Sequence, residues 1–351
     1  MTGDTVRQRE PLIDIIKGIA ILLVLVGHVI QFASGVDYQK TGAFYDNVLF
    51  KVIYGFHMPL FMIVSGYLYQ HSVTHKAPLK VIWSKVRILL VPIFSFAFIV
   101  WLIRFNPQYT FIDQIRNYLS VTRFTLWFLW ALFYSSIGVL VGHYLFKDNI
   151  FVWLLLILAS FLTPDRWFSE MYKYTFPCFL FGYYARKFEW IAFLKAHLLP
   201  VFITSSIVYI ISLVFYRGDC YVYMSGCNIL TAEGISFTQL GLNVFRIIVG
   251  IIGSIAFISL LMLVINPFKE GKVHKELARI GVSTMGIYCF QDYYFQHFDK
   301  WFSSGLVPLS SWGAIQVNRL LCLVLAFVVS YGLTWIVRRI KVLDILLLGG
   351  R

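Results

Sequence analysis

The sequence is poor in charge. Only 13 % of its 351 residues are Asp, Glu, Lys or Arg, while 59 % are hydrophobic, and its mean hydropathy is +0.75. That scarcity excludes a soluble globular protein, because no core of a chain this long hides so much apolar side chain. Acidic groups are the scarcer sign, 17 against 30 basic, for a net charge of +13. The excess of positive charge does not indicate nucleic acid: Lys and Arg cluster at the ends of apolar runs and form no basic face. Cysteines are few. Cys178, Cys289 and Cys322 lie inside apolar runs and read as small hydrophobes. Cys220 and Cys227 flank a polar loop, and a disulfide and two free thiols both stand open for them. No internal repeat or low-complexity tract is visible. The first apolar run has a basic flank, Arg7 and Arg9, but it is long and no small-residue cleavage site follows, so it reads as an uncleaved span.

What is present is a series of apolar segments near the length that crosses a bilayer. They fall at roughly 12–33, 48–70, 82–103, 126–146, 150–163, 172–188, 197–216, 240–266, 280–298 and 314–337. The expectation is an all-α polytopic integral membrane bundle of about ten helices, a single domain over 1–351 with no appended soluble domain. The fifth segment is the shortest, bounded by Lys147-Asp148-Asn149 and Pro164. With both termini in the cytoplasm, that side collects Arg7, Arg9, Lys76, Lys80, Lys85, Arg87, Arg186, Lys187, Lys269, Lys272, Lys275, Arg279, Arg338, Arg339 and Arg351. The outer side holds far fewer, Lys300 among them, in keeping with the positive-inside bias.

The first span carries three ionisable groups, Asp14, Lys17 and His28. Lys17 and His28 are separated by close to three helical turns, roughly 16 Å along one face. Asp14 precedes Lys17 by three residues and shares that face. Ionisable groups inside a membrane face a bundle interior or a wet cavity and mark a functional path. The second span places His57 before Pro59, a residue that permits a kink and a local cavity. Antiparallel packing of the first two spans brings His28 and His57 to neighbouring depths. An imidazole there can serve as general base. A hydrogen-bonded packing role is the competing reading for each, and the more so for His57. No third ligand stands at a spacing that makes the two histidines a metal site.

Ile13-Asp14, Lys17-Gly-Ile-Ala-Ile and Val26-Gly27-His28 together resemble the opening of the acyltransferase-3 family of membrane-bound acyltransferases. In that family a basic residue and a His are separated by ten residues in the first span. Phe56-His57-Met58-Pro59-Leu60-Phe61 with Ser65-Gly66-Tyr67-Leu68 is similar to the second-span signature of the sugar O-acetylase branch. Leu126-Trp127-Phe128-Leu129 and Phe181-Gly182-Tyr183-Tyr184 resemble later landmarks. Two departures stand out. Where many members carry Arg-x-x-Arg, this chain has Ser84-Lys85-Val86-Arg87; where many carry a His after Ile-Tyr-Leu-x, it has Gln291.

The resemblance implies a membrane-bound O-acyltransferase that moves an acyl group, most simply acetyl from cytoplasmic acetyl-CoA, to a hydroxyl of a cell-surface or exported glycan. The expected partners are acyl-CoA, an extracytoplasmic glycan and the lipid bilayer, with no nucleic acid and no metal, in a bacterial inner membrane. On this reading His28 is the general base, or alternatively carries the acyl group as an acyl-His intermediate, and Lys17, supported by Asp14, positions the donor. Lys17, Lys85 and Arg87 face coenzyme A, although for Lys85 and Arg87 an ordinary cytoplasmic flank is the plainer alternative. His57, Arg123, Trp127, Tyr288, Gln291, Asp292 and Arg319 line the acceptor side, with Asp292 a candidate partner for the in-span Arg246 and Arg319. Competing readings are a transporter or flippase using Asp14, Lys17, His28, Asp292 and Arg319 as a relay, and a non-catalytic member of a polysaccharide-synthesis assembly.

Overall fold

Backbone polar groups removed from water must be paired within the chain, and the apolar runs accordingly fold as helices. The computed structural model describes residues 11–265, 271–308 and 310–350. Arg7, Arg9, Lys269 and Arg351, which enter the charge bias, lie outside the described residues, as does the side chain of Lys300. The principal helices are α1 (Pro11–Phe32), α2 (Val48–Tyr54), α3 (His57–His75), α4 (Pro78–Ile103), α5 (Phe111–Phe124), α6 (Trp127–Phe146), α7 (Ile150–Phe161), α8 (Ser169–Lys187), α9 (Leu198–Phe215), α10 (Phe237–Val264), α11 (Lys272–Ser304), α12 (Trp312–Arg339) and α13 (Lys341–Leu348). One short hairpin pairs Leu230–Thr231 with Gly234–Ile235.

Apart from that hairpin, the described chain is a helical integral membrane bundle. Among the described residues seven stretches are long and apolar enough to cross a membrane: α1, α2 with α3, α4, α6, α9, α10 and α12. Helix forms at the three other expected places as well, with different character. α7 is apolar but has only 12 residues. α8 and α11 are long but too rich in polar groups to qualify on composition, because they turn residues such as Lys173, Thr175, Ser283, Thr284 and Gln291 into the interior. The amphipathic α5 lies outside the ten expected segments; it packs back against α4, where the Tyr118 hydroxyl donates to Phe94 O at 3.2 Å.

Two glycine-paired crossings set the centre of the bundle. A Cβ on Gly281 of α11 would stand 1.7 Å from Asp14 O of α1, and one on Gly18 would stand 2.3 Å from Leu277 O. Gly66 of α3 and Gly182 of α8 make the same arrangement: a Cβ on either would stand 1.9 Å from the carbonyl oxygen of Phe179 or Ile63. Small residues allow such backbone approach where lipid provides no hydrophobic drive for helices to associate.

The expected kink near Pro59 is a break. Helix stops at Gly55–Phe56 between α2 and α3, and Pro59 falls in the first turn of α3, where a missing N–H costs little. Side chains brace the carbonyls beside the break. His57 Nδ1–H donates to Ile53 O at 2.9 Å and the Tyr209 hydroxyl to Val52 O at 2.7 Å. Gly250 of α10 leaves the space that the Pro59 ring fills. A further irregularity, a π-turn at Val86–Leu90, precedes Pro92 within α4. It relaxes the ladder where the proline ring would crowd the carbonyl one turn back.

Candidate active site

His28 projects from α1 towards α11. Its Nδ1–H donates to Gln291 Oε1 at 2.6 Å, across 263 residues of sequence. Gln291 is fully buried, and the imidazole is held edge-on by Phe32 and Phe295, with ring centroids 6.0 and 5.6 Å away. Those two phenyl rings stack on each other at 5.7 Å. A ring whose Nδ1 proton is committed to an amide oxygen carries its lone pair on Nε2. Among the described residues His28 Nε2 has no hydrogen-bond partner, so it can accept a proton from an incoming group.

Towards the start of α1, Lys17 Nζ and Asp14 Oδ1 form an ion pair at 2.6 Å, both side chains mostly enclosed. Spacing alone anticipated this pair. On the other side of His28, Gly27 leaves room for the Tyr54 ring, whose Cε2 would lie 2.4 Å from a Cβ there. Tyr54 in turn packs on His57 at 4.5 Å between centroids. Tyr54 therefore packs between the His57 ring and the backbone one residue before His28. His57 Nδ1 is engaged by Ile53 O, so its Nε2 is also the open nitrogen.

His57, Tyr54, Trp127, Tyr174, Tyr221 and Tyr223 help line a small cavity of about 20 Å³, room for about one water. The Tyr174 hydroxyl is buried without a hydrogen-bond partner. The wall containing Tyr221 and Tyr223 belongs to the loop between α9 and α10, which two ionic anchors hold down. Asp165 pairs with Lys173 at 2.7 Å and accepts the backbone N–H groups of Cys227 at 2.6 Å and Asn228 at 2.9 Å. Burial works against the Asp165 charge, but these contacts prevail and hold its carboxyl below the ordinary value. The fully buried Arg246 donates to Ser225 Oγ at 3.1 Å and to Gly226 O and Asn243 Oδ1.

Several expectations are corrected by this geometry. Asp292 is the partner of neither in-span arginine: Arg246 serves the loop, and Arg319 donates to Ser34 Oγ at 2.8 Å and to Gln316 Oε1 at 3.4 Å. Cys220 and Cys227 are free thiols; Cys227 Sγ faces Glu170 O at 3.2 Å, and burial pushes that thiol up to about 12. The loop is fixed by ions and amides rather than by a disulfide.

The remaining expected residues are dispersed. Trp127 lies on the cavity. The Tyr288 hydroxyl accepts the Phe128 N–H at 3.4 Å, at the start of α6. Asp292 lies half-buried on α11, one residue beyond Gln291. Arg123 is exposed, its guanidinium 3.9 Å over the Trp167 ring. Lys85 lies 4.6 Å over the Tyr69 ring, and Arg87 is exposed on the π-turn. Sequence reasoning missed Tyr54, Tyr174 and Asn318. Asn318 Nδ2 donates to Ala33 O at 2.9 Å and its Oδ1 accepts the Leu306 N–H at 2.7 Å, which ties the end of α1 to α12. An Asn beside Arg319 inside an apolar run was the available signal.

The fold and the α1 constellation define a membrane-embedded helical protein with an oriented imidazole in its interior. A family model described as an acyltransferase domain matches residues 11–339, and the chain belongs to this acyltransferase-3 family. Among curated proteins it is similar to nodulation protein NolL of Mesorhizobium japonicum, 30 % identical over 190 residues, covering 52 % of this chain and 50 % of that one. It is also similar to nodulation protein NolL of Sinorhizobium fredii, 29 % identical over 182 residues, covering 50 % of this chain and 48 % of that one. The chain spans about half the length of the curated relatives it matches. No solved structure matches it.

Proposed function

We propose that the protein is a membrane-bound O-acyltransferase that moves an acyl group, most simply acetyl, from cytoplasmic acyl-CoA to a hydroxyl of an exported or cell-surface glycan in a bacterial inner membrane. The observation that carries this reading is His28: interior, oriented through Nδ1, open at Nε2, and set at the family's spacing from Lys17. With both ends of the bundle in the cytoplasm, as the positive-inside bias supports, Asp14, Lys17, Lys85 and Arg87 fall on the donor side. There the cations meet coenzyme A phosphates, and His57, Trp127, Tyr288, Asp292, Arg123 and Arg319 belong to the acceptor side. The small cavity by His57 and Trp127 has room for one hydroxyl rather than a whole sugar ring, and its aromatic walls and the unpartnered Tyr174 hydroxyl suit that group.

In the proposed step His28 Nε2 removes the proton of the acceptor hydroxyl as its oxygen attacks the thioester carbonyl carbon. The tetrahedral adduct collapses, the C–S bond breaks, and the imidazolium returns the proton to the departing thiolate. Products are the ester and free coenzyme A. Membranes supplied with labelled acetyl-CoA and a panel of cell-envelope glycans test the proposal. Label is expected in one glycan class as a base-labile ester. Label supplied instead only by succinyl-CoA overturns the acetyl assignment, and no transfer from any acyl-CoA overturns the enzyme in favour of a transporter.

A further inference from the structure

The residue at 291 departs from the family's expected histidine, and the sequence places it among the groups that bind the acceptor. We infer that Gln291 is instead a positioning residue for His28, whose working tautomer it sets. Its amide is fully buried and its Oε1 lies 2.6 Å from His28 Nδ1. An amide oxygen can only accept, so the imidazole proton is held on Nδ1 and the basic lone pair on Nε2. The Phe32 and Phe295 rings fix the plane of the imidazole, and the glycine-paired approach of α1 and α11 brings the two side chains within reach. The orienting group of a catalytic imidazole is commonly a carboxylate, and an amide fills that place in cysteine–histidine–asparagine sites. An amide orients without lending negative charge, so it steers the proton and leaves the imidazolium unneutralised. The contact is made through the oxygen, and the amide Nε2 is buried without a partner.

This inference rests on His28 as the base, and the experiment separates the two. Initial rates are measured across pH with labelled acetyl-CoA and the accepting glycan for wild type, Gln291→Leu, Gln291→Glu and His28→Ala. Folded yield and thermal midpoint in detergent accompany each variant. Gln291→Leu is expected to lower kcat about tenfold to a hundredfold, as loss of an orienting partner does, with the acceptor KM unchanged. Gln291→Glu, whose carboxylate still accepts from Nδ1–H, is expected to recover rate and to move the acid limb of the profile to higher pH. A Gln291→Leu variant with raised acceptor KM, normal kcat and an unmoved profile overturns the inference in favour of a sugar contact. Wild-type behaviour in Gln291→Leu beside a dead His28→Ala overturns it alone. Normal transfer by His28→Ala overturns the base itself.

Discussion

Two histidines in this molecule sit beside oxygen acceptors at similar distances, and they do opposite things. His28 meets Gln291 at 2.6 Å, while His143 of α6 meets Asp148 Oδ1 at 3.0 Å. By residue type the His143 cluster is closer to catalytic machinery, since it has a carboxylate, a tyrosine and a lysine. Yet the carboxylate, the tyrosine and the lysine are all spent on holding one turn, and His143 joins them through Nδ1. Asp148 accepts from Lys187 Nζ at 2.9 Å and from the Tyr183 hydroxyl at 3.2 Å, and its backbone oxygen accepts from Tyr184 at 2.6 Å. Lys147 and Asp148 both adopt left-handed backbone, with φ of 49° and 58°, at a cost of about 1–2 kcal/mol each. The contacts from α8 offset that cost and pin the α6–α7 turn. His28, by contrast, has one neutral partner, the fully buried Gln291, and among the described residues lies apart from any carboxylate cluster. On the proposed function, a lone pair held by a neutral partner in the interior marks the site, and the dense ionic cluster marks structure.

The largest effect that sharpens this contrast comes from the helix crossing beneath His28. Gly281→Leu puts a side chain where only 1.7 Å separates the Cβ position from Asp14 O, and backbone cannot give way cheaply. Loss of nearly all folded, active protein is expected, read as membrane yield and transfer rate. Asp148→Ala attacks the other region. It is expected to lower the thermal midpoint, at a cost of about 2 kcal/mol after allowing for half-exposed Lys187, while turnover per folded molecule stays near wild type. Turnover falling as far as it does in His28→Ala breaks the distinction. Asp148 also sets an acid limit. Burial opposes its charge, but the bonds from Lys187 and His143 prevail, so its folded pKa lies below the ordinary 3.8. A depressed carboxylate stabilises above the unfolded value and loses that contribution as pH falls through the folded one. Thermal midpoints followed downward through pH 3.8 are therefore expected to drop, and to drop less in Asp148→Asn. Lys17→Met is expected to give the smallest change, about a tenfold rise in KM for the acyl-CoA, near 1.4 kcal/mol, with little change in KM for the acceptor.

The local features were legible in the sequence and the distant pairings were not. Helical spacing was enough to put Asp14, Lys17 and His28 on one membrane-buried helix, and Pro59 was enough to expect a distorted second span, because both follow from local backbone chemistry. The fold class followed from apolar run length. The partner of His28 did not, since Gln291 lies 263 residues away and is brought near by a crossing that Gly18 and Gly281 permit. Arg246 likewise drew attention as a charge inside a span, but its partners are the Ser225 hydroxyl and Gly226 carbonyl of a loop and the Asn243 amide oxygen of its own helix, which no charge-pairing rule selects. The two loop cysteines have a plausible disulfide spacing, yet the loop is already closed by Asp165 and Arg246, and the thiols turn to different neighbours. α8 and α11 were expected as spans at 172–188 and 280–298, but which of their polar residues turn inward was not legible, and Gln291 of α11 and Tyr174 of α8 come from there.

The most direct test of the account compares His28→Ala and Asp148→Ala in one experiment, with transfer of label from acetyl-CoA to glycan measured against the thermal midpoint of the same preparation. His28→Ala is expected to abolish transfer at a near wild-type midpoint, and Asp148→Ala to keep transfer at a lowered one. Sustained transfer by folded His28→Ala would contradict the central claim and move the chemistry elsewhere, with His57 the next imidazole open at Nε2.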